Sequence, residues 1–171
     1  MQRKLKIKDL TPRKDSSFRQ GYFHPTVPTK YYGDPTKIIC RSGWERKFCQ
    51  YCDTQESVVL WGSEPVEIPY VHPFTVDKNG RPAIKPYNVD FYMKVRTGED
   101  TFKEYLVEVK PAKKLKAPKR PTGTITTKKL EGYNVQVKEY FTNLAKFKAA
   151  EDFAEARGWK FVVITEQFLF S

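Results

Sequence analysis

Histidine and cysteine are scarce in this chain of 171 residues, with two of the first and three of the second. His24 and His72 lack ligand spacing, so a histidine-rich zinc centre is excluded. Cys40, Cys49 and Cys52 are an odd count without a secretory leader, which argues against a disulfide framework. Cys49 and Cys52 have CxxC spacing, but no second pair follows, and they fall inside a predicted helix rather than at its N-terminus. No apolar run approaches the ~18 residues of a membrane span. The basic N-terminus lacks the apolar core of a signal peptide, so a cytosolic protein without membrane contact is expected. Acid is in deficit as well: 20 Asp and Glu stand against 31 Lys and Arg, a formal charge of +11.

That excess of cations argues for a polyanionic partner, since cations set against phosphates release counterions on binding. No basic amphipathic helix with a large apolar face is visible, which favours nucleic acid over a membrane surface. Aromatic residues make up 15% of the chain, more than a chain without a packed core would carry. The length suits one domain.

Residues 1–31 are basic and broken by prolines, and residues 1–20 hold seven Lys or Arg against two Asp. They read as an extended arm, leaving 32–171 as the domain. Ser42 and Glu45 are spaced as a capping box for a helix to about Asp53. A strand is expected at 65–70, a turn at Asn79-Gly80, and alternating strands at 87–95 and 102–110. From Val109 to Leu130 the chain carries eight Lys or Arg and no acid, and its prolines make it a loop. Two helical stretches are expected next, one over 127–141 and one capped afresh at Thr142 or Asn143, with Leu144, Phe147, Ala150, Phe153 and Ala154 as its apolar face. Gly158 stops it, and the continuous apolar run 160–165 predicts a fully buried strand. The order is that of an α/β domain: a mixed central sheet flanked by helices.

One arrangement in this order carries chemistry. If the hairpin 88–110 turns near Glu99, Asp90 lies opposite Glu108, and Lys110 projects from the same face one pleat along. Directly opposed acids destabilise a sheet unless a cation sits between them. Two carboxylates suffice to hold Mg²⁺, and a nearby lysine serves the attacking water of a hydrolysis. The competing reading is a solvated sheet face with Lys110 as an ion-pair partner. Glu64 lies just before the first strand, where it could approach a metal or remain a loop acid. Asn143 and Lys146, one turn apart, could reach a DNA phosphate or the site, or be a cap and a solvated lysine.

The run Asn88-Val89-Asp90-Phe91, a hairpin, and then Val107-Glu108-Val109-Lys110-Pro111 resembles the PD-(D/E)xK nuclease superfamily. Val89 stands where that motif usually has proline. The ordered set Tyr-Gly-Asp-Pro, Arg-Ser-Gly-Trp-Glu-Arg-Lys-Phe, Val-Asp-Phe-Tyr-Met-Lys, Glu-Val-Lys-Pro and Asn-Leu-Ala-Lys-Phe-Lys-Ala-Ala resembles the head-completion nucleases of T-even-type tailed phages, and a similar site occurs in TnsA-like transposon endonucleases. The resemblance implies a single restriction-endonuclease-like domain and a DNA nuclease, endo or exo, dependent on Mg²⁺ with Mn²⁺ able to substitute. It implies Asp90, Glu108 and Glu45 as metal ligands and Lys110 as the lysine serving the water. It implies action on packaged double-stranded DNA before head–tail joining, with phage head and neck proteins as partners, first in the host cytoplasm and then in the virion. Lys113, Lys114, Lys116, Lys119 and Arg120 of the basic loop, with Asn143 and Lys146, are the expected DNA contacts. A transposon endonuclease and a non-catalytic DNA-binding neck protein are the alternatives.

Overall fold

The computed structural model describes residues 20–171. A short strand β1 (Gly21–Phe23) pairs antiparallel with β2 (Ile38–Cys40). Helix α1 (Gly43–Thr54) follows, and its Ser42 cap accepts from Glu45 N at 3.1 Å. Then come β3 (Val58–Ser63), β4 (Glu67–Val76), β5 (Pro82–Asn88), β6 (Phe91–Arg96) and β7 (Phe102–Val109). The long helix α2 (Thr127–Glu155), β8 (Lys160–Ile164) and a last turn α3 (Glu166–Leu169) complete the chain.

The central sheet runs β3-β6-β7-β8, with β8 parallel to β7 and the other pairs antiparallel. It is mixed because β8 returns through α2, a crossover that only a parallel pair needs. Alternation along β6 and β7 divides the interior into two layers. Phe91, Met93 and Val107 face α1, packing with Phe48, Cys49, Cys52 and Trp61. Tyr92 and Leu106 face the other way, against Ala150 and Ala154 of α2. This is the expected α/β domain with a mixed sheet between helices.

Several local expectations are corrected. The arm expected over 1–31 does not extend to residue 31; residues 1–19 lie outside the described residues, and residues 20–31 are docked. Asp53, buried at the end of α1, accepts hydrogen bonds from Thr26 N at 2.7 Å, Thr26 Oγ1 at 2.6 Å and Val27 N at 2.9 Å. Tyr31 adds an edge-on contact with Trp61 at 4.8 Å. The helix expected to restart at Thr142 or Asn143 is unbroken; packing on β4 and β8 outweighs the weak propensity of Tyr140-Phe141-Thr142-Asn143. Leu144, expected on the apolar face, is exposed, while Asn143 is buried. β8 is half-buried rather than fully so, because it is an edge strand covered by α2 and α3. β5 was not expected, since Pro82 and Pro86 disguise it. Both strands of the β4–β5 ribbon are edges, so proline costs no ladder bond there, and Pro69 sits opposite Pro86.

Candidate active site

The segment expected as one strand over 87–95 breaks between Asn88 and Phe91, and the break makes the site. The chain passes there from the β4–β5 ribbon to the central sheet. The register of β6 and β7 is the expected one: Phe91 pairs with Val107 and Tyr92 with Leu106, which brings Asp90 to the level of Glu108. Asp90 itself leaves the ladder. Its Oδ2 accepts the Val109 amide at 2.8 Å, taking the place of a backbone carbonyl, and its own carbonyl accepts Glu64 N at 2.8 Å.

Glu108 is buried and Asp90 half-buried. Burial, then the charge of Glu108, drives the Asp90 carboxyl well above the usual carboxylate range. Glu108 is 5% exposed, and both its oxygens are engaged. Tyr87 Oη donates to Oε2 at 2.5 Å, and Lys110 Nζ donates to Oε1 at 2.6 Å. Burial and the adjacent Glu108 carboxylate push the Tyr87 phenol far up, so it remains a proton donor. Sequence reading missed Tyr87, which lies in the proline-disguised strand; one turn signal at Asn79-Gly80 and the acid it faces were the only hints.

Lys146, expected at a DNA phosphate or at the site, lies beside the acid pair. It extends from α2 over the rings of Tyr87 and Tyr70, at 5.4 and 5.8 Å. Burial, then the neighbouring Lys110 charge, lowers its pKa, while Glu108 and Asp90 act against that. Two lysines and two carboxylates therefore converge. Asn143, one turn before Lys146, is 6% exposed, and its Nδ2 has no hydrogen-bond partner among the described residues.

Glu45 takes the expected capping-box position. Its Oε2 accepts Arg41 N at 2.8 Å and its Oε1 accepts Ser42 Oγ at 3.0 Å, so the carboxylate closes the helix start. It remains near enough to raise Asp90, and its own pKa is raised by burial. Among the described residues, no group of three His, Cys, Asp or Glu side chains is gathered as a metal cage. Asp90 and Glu108 form the pair, and Glu45 stands beside it. Glu64 is drawn to Arg41 Nε at 2.7 Å, on a backbone with φ of 42°. The donor set is hard oxygen, and two acids repelling each other suit a divalent cation.

The basic loop leaves the site directly after Lys110. Lys113, Lys116, Lys119 and Arg120 are exposed, whereas Lys114 is half-buried and bound to Glu139 of α2 at 2.6 Å. The loop base is fastened by Ala112 N, which donates to Glu166 Oε2 at 2.8 Å. Cys40, Cys49 and Cys52 are buried in the α1 layer, and burial pushes the Cys49 and Cys52 thiols up, which makes them poor nucleophiles. No helix among the described residues is long and apolar enough to cross a membrane.

A mixed sheet between helices, with an acid pair and lysine at the ends of two adjacent strands, defines a nuclease of the restriction-endonuclease-like, PD-(D/E)xK class. The chain belongs to the family described as TnsA-like endonuclease N terminal, whose model matches residues 55–166. It is also similar to the protein named head completion nuclease of Enterobacteria phage T4. The two are 35% identical over 149 residues, covering 87% of this chain and 92% of that protein.

Proposed function

We propose that this protein is a phage head-completion deoxyribonuclease that hydrolyses DNA phosphodiesters with Mg²⁺, which Mn²⁺ replaces. The observation that carries the reading is the Asp90–Glu108 pair, two acids held side by side with Lys110 and Lys146 over them. Asp90 and Glu108 would hold the cation, and Glu45 would join them only by releasing Arg41 N and Ser42 Oγ. A bound divalent cation supplies Lewis-acid stabilisation of the charge that grows on the phosphate.

The protein's own groups do the rest. Tyr87 fixes the Glu108 carboxylate through Oε2, which sets the direction of Oε1. Lys110 has three N–H donors and spends one on Glu108 Oε1, leaving two for a water or a non-bridging phosphate oxygen. Lys146 of α2 adds positive charge beside Lys110. Glu108 is buried and Asp90 half-buried, so bulk water screens these charges less than at an open surface.

The relative's name supports placing the activity at head completion; phage head and neck proteins are the partners this reading proposes, and the virion its final location. The test is cleavage of linear and circular DNA by purified protein with and without Mg²⁺ or Mn²⁺, alongside Lys110→Ala. Wild-type protein should cut only with metal, and Lys110→Ala should cut far more slowly while binding Mn²⁺ about as well. Cleavage undiminished by a chelator would remove the metal reading.

A further inference from the structure

One face of α2 repeats every seven residues. Tyr133, Tyr140 and Phe147 are all half-buried and lie on one stripe, each about 10.5 Å beyond the last. Three residues after each of the first two stands an amide, Gln136 and Asn143. The basic loop lies along this stripe and lines three adjoining open cavities. One of about 280 Å³ sits between Tyr133, Lys119 and Lys128. Another of about 480 Å³ sits between Tyr140, Lys113, Lys116 and Lys119. The third, of about 220 Å³, is lined by Tyr140, Asn143 and Phe147. The series ends at the active site, because Lys110 Nζ lies 5.5 Å from the Phe147 ring.

The composition of this groove is specific. Lys116 and Lys119 carry no ion pair among the described residues, and Glu139 in the groove is already held by Lys114. Asn143 Nδ2 is a buried donor without a partner, and it borders the cavity nearest the site. Leaving such a donor unpaired is costly, and a ligand oxygen that reached it through a small opening of the cavity wall would remove the cost. Only the middle cavity, of about 480 Å³, reaches small-ligand size, and the other two are smaller; none has room for a duplex. Lysines on one wall and half-exposed rings on the other are how proteins hold a single strand: cations follow the backbone while bases stack on rings.

We infer that α2 and the basic loop form a track for one unpaired DNA strand leading into the active site. The substrate class of the proposed nuclease is then DNA with a single-stranded end or segment, and the inference rests on that nuclease reading. Tyr133 and Tyr140 stack on bases, and Asn143 Nδ2 donates to the strand as it reaches Lys110.

The test is equilibrium binding in the presence of a chelator, so that nothing is cut. A short fluorescent oligothymidylate is compared with a blunt hairpin duplex of equal length. Wild-type protein should prefer the oligothymidylate. Tyr133→Ala and Tyr140→Ala should each weaken that binding by about tenfold, whereas Tyr133→Phe and Tyr140→Phe should leave it unchanged and duplex binding should not respond. Equal losses on both DNAs, or no loss with either alanine variant, would overturn the track. The nuclease reading is judged separately by cleavage with Mg²⁺ or Mn²⁺. Ring-dependent strand binding without any cleavage would uphold the track and remove the nuclease, while cleavage indifferent to the rings would do the reverse.

Discussion

The Tyr87 hydroxyl donates to Glu108 Oε2 at 2.5 Å, joining the β4–β5 ribbon to the end of β7. A buried carboxylate is thereby oriented by a strand that belongs to a different sheet. Tyr87→Phe removes the donor and keeps the ring under Lys146. Loss of a hydrogen bond to a buried charge should cost about 1.5–3 kcal/mol of stability. Single-turnover cleavage should also slow, because Glu108 is no longer fixed. Unchanged values in thermal unfolding and rate would show that Glu108 is held by Lys110 alone.

Asp90→Asn should abolish cleavage yet raise the melting temperature of the metal-free protein. The charged acid is penalised by burial and by Glu108, and the amide escapes both. Opposed like charges cost up to about 1 kcal/mol, so the gain should be about 2–4 °C. Glu108→Gln should also abolish cleavage. A melting temperature lowered in Asp90→Asn would mean that its bond to Val109 N matters more than the repulsion.

Glu45→Gln separates two roles. Glutamine closes a capping box as glutamate does, so the fold should be retained. If Glu45 turns inward to assist the cation, cleavage should fall at least tenfold at unchanged melting temperature. Equal rates for the two proteins would confine Glu45 to the start of α1.

Asp53 should make the docking of residues 20–31 pH-dependent. Burial pushes its carboxyl upward, but the hydrogen bonds from Thr26 and Val27 outweigh this and hold it below its usual value. A depressed folded pKa gives stabilisation that is complete above the unfolded value of about 3.9. That stabilisation is lost as pH falls through the depressed folded value. Asp53→Asn should unpin the segment at neutral pH and flatten this acid dependence. Limited proteolysis near Thr26 across pH measures both effects.

Replacing Lys113, Lys114, Lys116, Lys119 and Arg120 with serine should weaken DNA binding regardless of base sequence, because the loop contacts backbone rather than base edges. The slope of log affinity against log salt should shrink by about 0.7–0.9 per lost phosphate contact. An unchanged slope would instead make the loop a docking surface for another protein.

Sequence alone determined those parts of the molecule that depend on neighbours along the chain or on simple alternation. Ser42 and Glu45 marked the start of α1, because a capping box is a local hydrogen-bond exchange. The facing of Asp90 and Glu108 followed from period-two alternation and a short turn, which fix register by counting. Other features were decided only by tertiary structure. The chain leaves the ladder at Asp90 because Val109 N and Glu64 N come from elements distant in sequence. Lys146 enters the site, and α2 runs unbroken past Thr142, because β4 and β8 provide surfaces no local propensity encodes. Tyr87 is a site residue through a ribbon whose prolines argue against a strand until both of its strands are seen to be edges. Register and caps are short-range; the protonation and direction of a buried carboxylate are set by what the whole fold brings against it.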